Sequence, residues 1–216
     1  SGVGGRSNLW KTSNLNATGA NGSPTACAAQ FMVNRQVLCA GDDLQFTDDS
    51  YNNISSWNWT FQGGSPASST NQNPQINYSA PGQYDVTLSV SDPFGNTVSQ
   101  TFSDYITVLG APGNALPIQE GFETASIPNN DWFVENPGGP GFQITNQAGA
   151  TGSKSLKLDN STGSNLDKDA FISSTINLEN ITSATLTFKY AFAKKINGNS
   201  DFLQVFASNS CGDTWA

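Results

Sequence analysis

Trp57-Asn58-Trp59-Thr60-Phe61-Gln62-Gly63-Gly64 and Tyr84-Asp85-Val86-Thr87-Leu88-Ser89-Val90 decide the fold of this chain. In both, large apolar residues fall at every second position, so one face of an extended strand is apolar and the other polar. Pro81-Gly82 supplies a reversal that lets the following long strand return. The same alternation recurs in Leu186-Thr187-Phe188-Lys189-Tyr190-Ala191-Phe192. Almost no stretch carries the three-to-four-residue period of an amphipathic helix. Many short strands separated by Gly, Pro, Asn and Asp indicate an all-β chain of sandwich or jelly-roll type.

Composition narrows the chemistry. The 216 residues contain no histidine, which excludes a Ser-His-Asp or Cys-His nucleophile pair, an HExxH zinc site and an imidazole acid or base. No motif singles out a carboxylate pair for general acid/base work, so no catalytic residue is assigned. Seventeen acidic against nine basic side chains leave a net charge of −8. That balance argues against nucleic acid and anionic membrane surfaces, both of which need clustered Lys and Arg. No apolar run reaches the ~18 residues of a membrane span. Asn (24) and Ser (26) are abundant, yet aromatics make up 11% and charged residues only 12%, unlike a disordered chain.

Two breaks divide the chain. Residues 1–24 hold few apolar anchors and read as the tail of an upstream domain or a linker. Gly110-Ala111-Pro112-Gly113-Asn114-Ala115-Leu116-Pro117 stops β pairing directly after Tyr105-Ile106-Thr107-Val108-Leu109, which makes 111–117 a linker between domains at 25–110 and 118–216. The cysteines are Cys27, Cys39 and Cys211. Without a CxxC, a zinc ribbon or thioredoxin motif is excluded. Cys27 and Cys39 are expected either to close a small disulfide loop in an oxidising compartment or to stay as buried thiols. Cys211 is then expected to pair beyond Ala216.

The ordered series Trp57–Gly64, Asn73-Pro74, Tyr78 and Pro81–Val90 resembles the polycystic-kidney-disease (PKD) type of immunoglobulin-like sandwich over residues 31–109. The family commonly carries Gly-Asp-Gly after its aromatic strand, whereas Gln62-Gly63-Gly64 stands here, so any role of that Asp is absent. Some relatives hold calcium nearby, but Asp42-Asp43 and Asp48-Asp49 lack EF-hand spacing and read first as turn formers. Trp57, Trp59, Tyr78 and Tyr84 are candidates for a sugar-stacking face, though their alternation favours core packing for at least half of them.

Gly4–Trp10 followed by Asn14–Gly19 resembles the last segment of pappalysin-type (cytophagalysin) zinc metalloprotease domains, which in secreted Bacteroidetes proteins are often followed by a PKD domain. None of that family's catalytic residues falls in this segment. Residues 116–216 resemble cleaved-adhesin and MAM-type jelly rolls. The resemblance rests on Glu120-Gly121-Phe122-Glu123, Pro128…Trp132, Ser155–Leu158, Asp169–Ser174, Leu186–Tyr190, Asp201–Ser208 and Cys211–Trp215. About six strands are countable where a jelly roll has about eight, so this domain is expected to be incomplete. The resemblance implies a structural calcium at Glu123, with Glu120, Asp159, Asp167, Asp169 and Asp201 as candidate co-ligands.

Domain order therefore implies a non-catalytic accessory region of a large secreted zinc metalloprotease of type IX-secreting bacteria. Its modules would act as spacers or as docking sites for a protein or glycan surface, and the chain itself would carry no zinc. The alternative expectation is an adhesin or carbohydrate-binding fragment of a bacterial cell-surface protein.

Overall fold

The computed structural model describes residues 27–124, 126–135, 141–159, 169–191 and 202–216. The chain is all-β, with no helix among these residues. In the first domain, β1 (Phe31–Val33), β3 (Asp43–Asp48), β5 (Gly64–Ser65) and β7 (Gln75–Tyr78) form one sheet in the order β1-β3-β7-β5. The facing sheet contains β2 (Val37–Cys39), β4 (Ser56–Phe61), β6 (Ser68–Ser69), β8 (Gly82–Ser91) and β9 (Thr97–Leu109), ordered β2-β9-β8-β4-β6. Only the β2–β9 pair is parallel in this second sheet.

The strands expected from the alternating stretches are β4 and β8, and they pair with each other from Ser56↔Ser91 to Phe61↔Val86. Their apolar faces point inward: Trp59, Val86, Leu88 and Val90 are wholly buried and Phe61 nearly so. From the other sheet come Leu44, Phe46, Ile76 and Tyr78, also wholly buried. Phe31 anchors the aromatic part of this core, with its ring centroid 5.1 Å from Trp59, 4.8 Å from Phe102 and 5.2 Å from Tyr105, all edge-on. Such edge-to-face contacts suit the quadrupole of aromatic rings. Trp59 also satisfies its polar atom, donating Nε1–H to the Asn71 carbonyl at 2.9 Å. The outward face of the same sheet is polar: Thr87 meets Thr101, Ser89 meets Ser99 and Ser91 meets Thr97, each at 2.8 Å.

Gly63 shows why a glycine follows the aromatic strand. Its φ is +67° and the Tyr84 ring occupies the space a Cβ would need, at 2.3 Å. Any side chain there would meet both a strained backbone and the ring.

After β9 the chain enters the second module through β10 (Asn114–Ala115), which pairs in parallel with β15 (Ile176–Asn177). Here β11 (Trp132–Glu135) pairs with β14 (Ala170–Ser173), and β12 (Phe142–Thr145) with β13 (Ser155–Leu158), both antiparallel. Trp132 and Phe171 stack at 4.9 Å and 6°, and Phe122 and Phe142 lie against Phe171 at 5.9 and 5.7 Å. The strands expected over Leu186–Tyr190 and Phe202–Ala207 are not formed; Leu186 is 72% exposed and Phe202 77%. Alternation marks a surface fit for a sheet, but a strand needs a neighbour for its backbone groups along its length; among the described residues only Ala207 finds one, exchanging backbone hydrogen bonds with Ala216 at 2.9 Å.

Candidate functional site at the module joint

The cysteine expectation is corrected. Cys39 is bonded to Cys211, across 172 residues and with the Cα atoms 5.3 Å apart, while Cys27 is a buried free thiol. Cys27 Sγ–H points to the Asn96 carbonyl at 3.6 Å, at the start of β9, whereas Cys39 pairs with Leu109 at its end. Thirteen residues of strand between those ends span roughly 40 Å, far beyond the reach of a disulfide. The partner of Cys211 therefore lies within the chain rather than beyond Ala216. A tight loop presents it: Ser208 Oγ accepts from Ser210 N–H and Gly212 N–H at 3.2 and 2.9 Å, and Cys211 takes φ +53°.

The disulfide is one of several contacts across the joint. Val37 and Leu109 of the first domain and Phe133 and Ile172 of the second share one buried cluster, with Ala170 packed against it. Ser174 is almost wholly buried; its Oγ accepts from Gly110 N–H at 2.9 Å and its own N–H donates to the Asp131 carbonyl at 2.7 Å. Gln83 Nε2 donates to the Val134 carbonyl at 3.2 Å. Asn114 N–H donates to the Thr175 carbonyl and its Nδ2 to the Asp131 carboxylate, each at 2.8 Å. The segment 111–117, expected as a linker, thus contributes a strand and lies against the second module.

Three of the carboxylates expected to gather around calcium, Glu123, Glu120 and Asp159, each have a different neighbour. Glu123 accepts from Lys154 N–H at 2.8 Å and Ser153 Oγ–H at 2.9 Å, while Lys154 Nζ donates to the Glu123 carbonyl at 2.7 Å. Those bonds, led by the one from Lys154 N–H, hold its carboxyl below the ordinary value of 4.5. Gly152 lies so close to this carboxylate that a Cβ would sit 2.3 Å from Oε1. Glu120 accepts from Phe122 N–H and, at 3.2 Å, from Trp132 Nε1–H. Asp159 pairs with Lys157 at 3.0 Å. Asp169 precedes β14, and Asp167 and Asp201 lie outside the described residues. Among the described residues, no group of three or more Cys, Asp or Glu is placed to hold a metal ion.

Of the aromatic candidates, Trp59 and Tyr78 are wholly in the core, and burial raises the Tyr78 phenol far above its ordinary pKa. Trp57 is half-buried. Tyr84 lies 5.4 Å from Tyr78, with Gly63 against its ring and its hydroxyl 2.9 Å from the Ala80 carbonyl. Where Tyr84 reaches the surface, it lines a cleft of about 320 Å³ between the modules. Pro81–Tyr84 and Asp104 form one side, Pro128–Asn130 the other, and Phe133 the floor. No residue type in the sequence announced this cleft, because its walls lie more than twenty positions apart in the chain and meet only through the joint.

The two facing sheets, the aromatic core and the Gly63 turn define the first domain as an immunoglobulin-like sandwich of PKD type. Residues 21–108 match the family model described as PKD domain. The chain is similar to the PKD1 domain of Vibrio anguillarum Epp, at 26% identity over 38% of this chain and 95% of that one, with a TM-score of 0.33. It is also similar to the PKD1 domain of the Vibrio cholerae metalloprotease PrtV, at 29% identity over 38% and 96%, with a TM-score of 0.32. A carbohydrate-binding module of the β-sandwich superfamily matches at 22% identity over 62% of this chain and 54% of that one, with a TM-score of 0.38. No curated protein matches the chain. No helix among the described residues is long and apolar enough to cross a membrane.

Proposed function

We propose that this chain is a non-catalytic accessory region of a large secreted zinc metalloprotease, in which two β modules act as one rigid spacer and docking element. The observation that carries this reading is the joint. A flexible tether would leave its two domains with separate cores, whereas Val37, Leu109, Phe133 and Ile172 form a shared one. The buried Ser174–Gly110 bond and the Cys39–Cys211 bond add directional and covalent restraint to that contact. The PKD match over residues 21–108 agrees with a structural module. The parent protease rests on the resemblance of Gly4–Gly19 to the end of a pappalysin-type domain, a segment outside the described residues.

Two measurements test the reading. Small-angle scattering of the oxidised chain is expected to fit a single rigid particle, and reductant is expected to broaden it; a profile that demands freely moving modules before reduction would overturn the spacer. Purified chain is expected to leave casein intact with or without added zinc, and cleavage would refute the non-catalytic assignment.

A further inference from the structure

Asp104 sits in an unusual place for a charged residue. Strands β8 and β9 pair at Tyr84↔Ile106 and again at Val86↔Phe102, so Asp85 alone stands opposite Ser103, Asp104 and Tyr105. This is a β-bulge, a device that breaks a ladder locally and re-aims the side chains of the longer strand. Asp104 takes φ +50°, a conformation that Asp tolerates better than most residues. Its N–H is held at 2.8 Å by Asp85 Oδ1, and Asp85 N–H is held in turn by Gln62 Oε1 at 3.0 Å. The exposed Asp104 side chain lines the cleft between the modules.

The other polar walls of that cleft are already engaged. Asn129 Oδ1 accepts from the Asp131 and Trp132 amides at 2.8 Å and its Nδ2 donates to the Ser126 carbonyl at 2.7 Å. Gln83 gives its amide hydrogens to Val134 and Thr107. The side chains of Asp104 and Asn130 remain for a ligand. Tyr84 offers no stacking platform, because Gly63 lies against its ring and Gly82 approaches the ring at its hydroxyl end. That disfavours a sugar. The charge favours a cation: residues 27–110 contain seven Asp and one basic residue, Arg35, which is paired with Asp42 at 2.8 Å.

We propose that the joint cleft is a docking site for a basic peptide segment. The guanidinium or ammonium group of its Arg or Lys pairs with Asp104 and bonds to Asn130, and the side-chain stem lies along Pro81 and Pro128. The proposal rests on the fixed joint, since one wall comes from each module.

Amide chemical shifts of the full oxidised chain would be followed while acetyl-Gly-Arg-Gly-amide is added, with the neutral citrulline peptide as control. Changes are expected at Tyr84, Asp104 and Asn130, to weaken with salt, and to be absent with citrulline. Asp104→Asn, which keeps the shape and tolerates the same backbone, and Asn130→Lys on the opposite wall are each expected to weaken binding roughly tenfold. Equal response to citrulline, unchanged binding in both variants, or a response to neutral oligosaccharides instead of the peptide would overturn the proposal. If scattering shows a rigid particle and the peptide still gives no response, the cleft proposal fails alone; a mobile joint would remove the spacer reading first.

Discussion

In the first domain, nine strands in two sheets surround a core in which Trp59, Tyr78, Phe46 and eight aliphatic residues of the paired strands are wholly buried. In the second module, the six described strands form three separate two-stranded ladders, and among its described residues Phe133 alone is buried to the same degree. The alternation of Leu186-Thr187-Phe188-Lys189-Tyr190 is as regular as that of Trp57–Phe61, but Tyr190 is 75% exposed and Trp59 is not exposed at all. Pattern specifies which face of a strand wants cover; whether it gets cover depends on a second sheet being there. The first domain supplies its own second sheet. The second module instead borrows cover from the first, through Val37 and Leu109.

The largest effect that would break this contrast is loss of the Cys39–Cys211 bond. Chain-entropy reasoning for so long a loop gives an upper figure of about 5 kcal/mol. Because the second module depends on the joint, reduction or Cys211→Ala is expected to split thermal unfolding into two transitions, the earlier one from the second module. A single unchanged transition under reductant would show that the joint does not need the bond. Trp59→Ala sharpens the contrast from the other side. It should cost the first domain about 3–5 kcal/mol, the range for removing a large aromatic from a closed core. Trp132→Ala, at a half-buried stack, should cost clearly less by the same denaturation measurement.

Ser174→Ala removes the acceptor for Gly110 N–H inside the joint, and a loss of about 1–3 kcal/mol is expected for leaving that donor unpaired. Its signature would be earlier release of the second module with the first-domain transition unmoved. The smallest effects concern two carboxylates that organise turns, one in each region. Asp92 accepts from Asn96 Nδ2 at 2.7 Å and from the Phe94 and Asn96 amides at 2.9 Å, and these bonds, led by the Asn96 side chain, lower its pKa. Glu123 is lowered in the same way by Lys154 and Ser153. A carboxyl lowered on folding stabilises fully above its unfolded pKa, and that contribution is lost as pH falls through the folded value. Stability is therefore expected to decline below about pH 4.5, less steeply in Asp92→Asn for the first domain and in Glu123→Gln for the second. Parallel acid titrations of wild type and variants by circular dichroism would check this; identical slopes would refute it.

Much of the first domain was legible from particular residues. The period-two runs at Trp57 and Tyr84 became the paired central strands, and Pro81-Gly82 became a reversal. The reading of the cysteines failed because nearness in sequence says little about a β protein, where one long strand can carry adjacent residues to opposite ends of a domain. The carboxylate reading around Glu123 picked out a residue with a structural task of its own, since its carboxylate accepts from Ser153 and Lys154. Asp104 carried no mark at all, since a bulge is a mismatch between two strands and exists only once they pair.

The sequence by itself determined an all-β chain without histidine chemistry and which faces of the Trp57 and Tyr84 strands would turn inward. Those properties are local: they follow from side-chain type, period and turn residues. Tertiary structure alone decided the Cys39–Cys211 bond, the shared core at the joint and the cleft beside Asp104. Each of these brings together groups remote in the chain, and the free energy of such contacts depends on distances that no local pattern encodes.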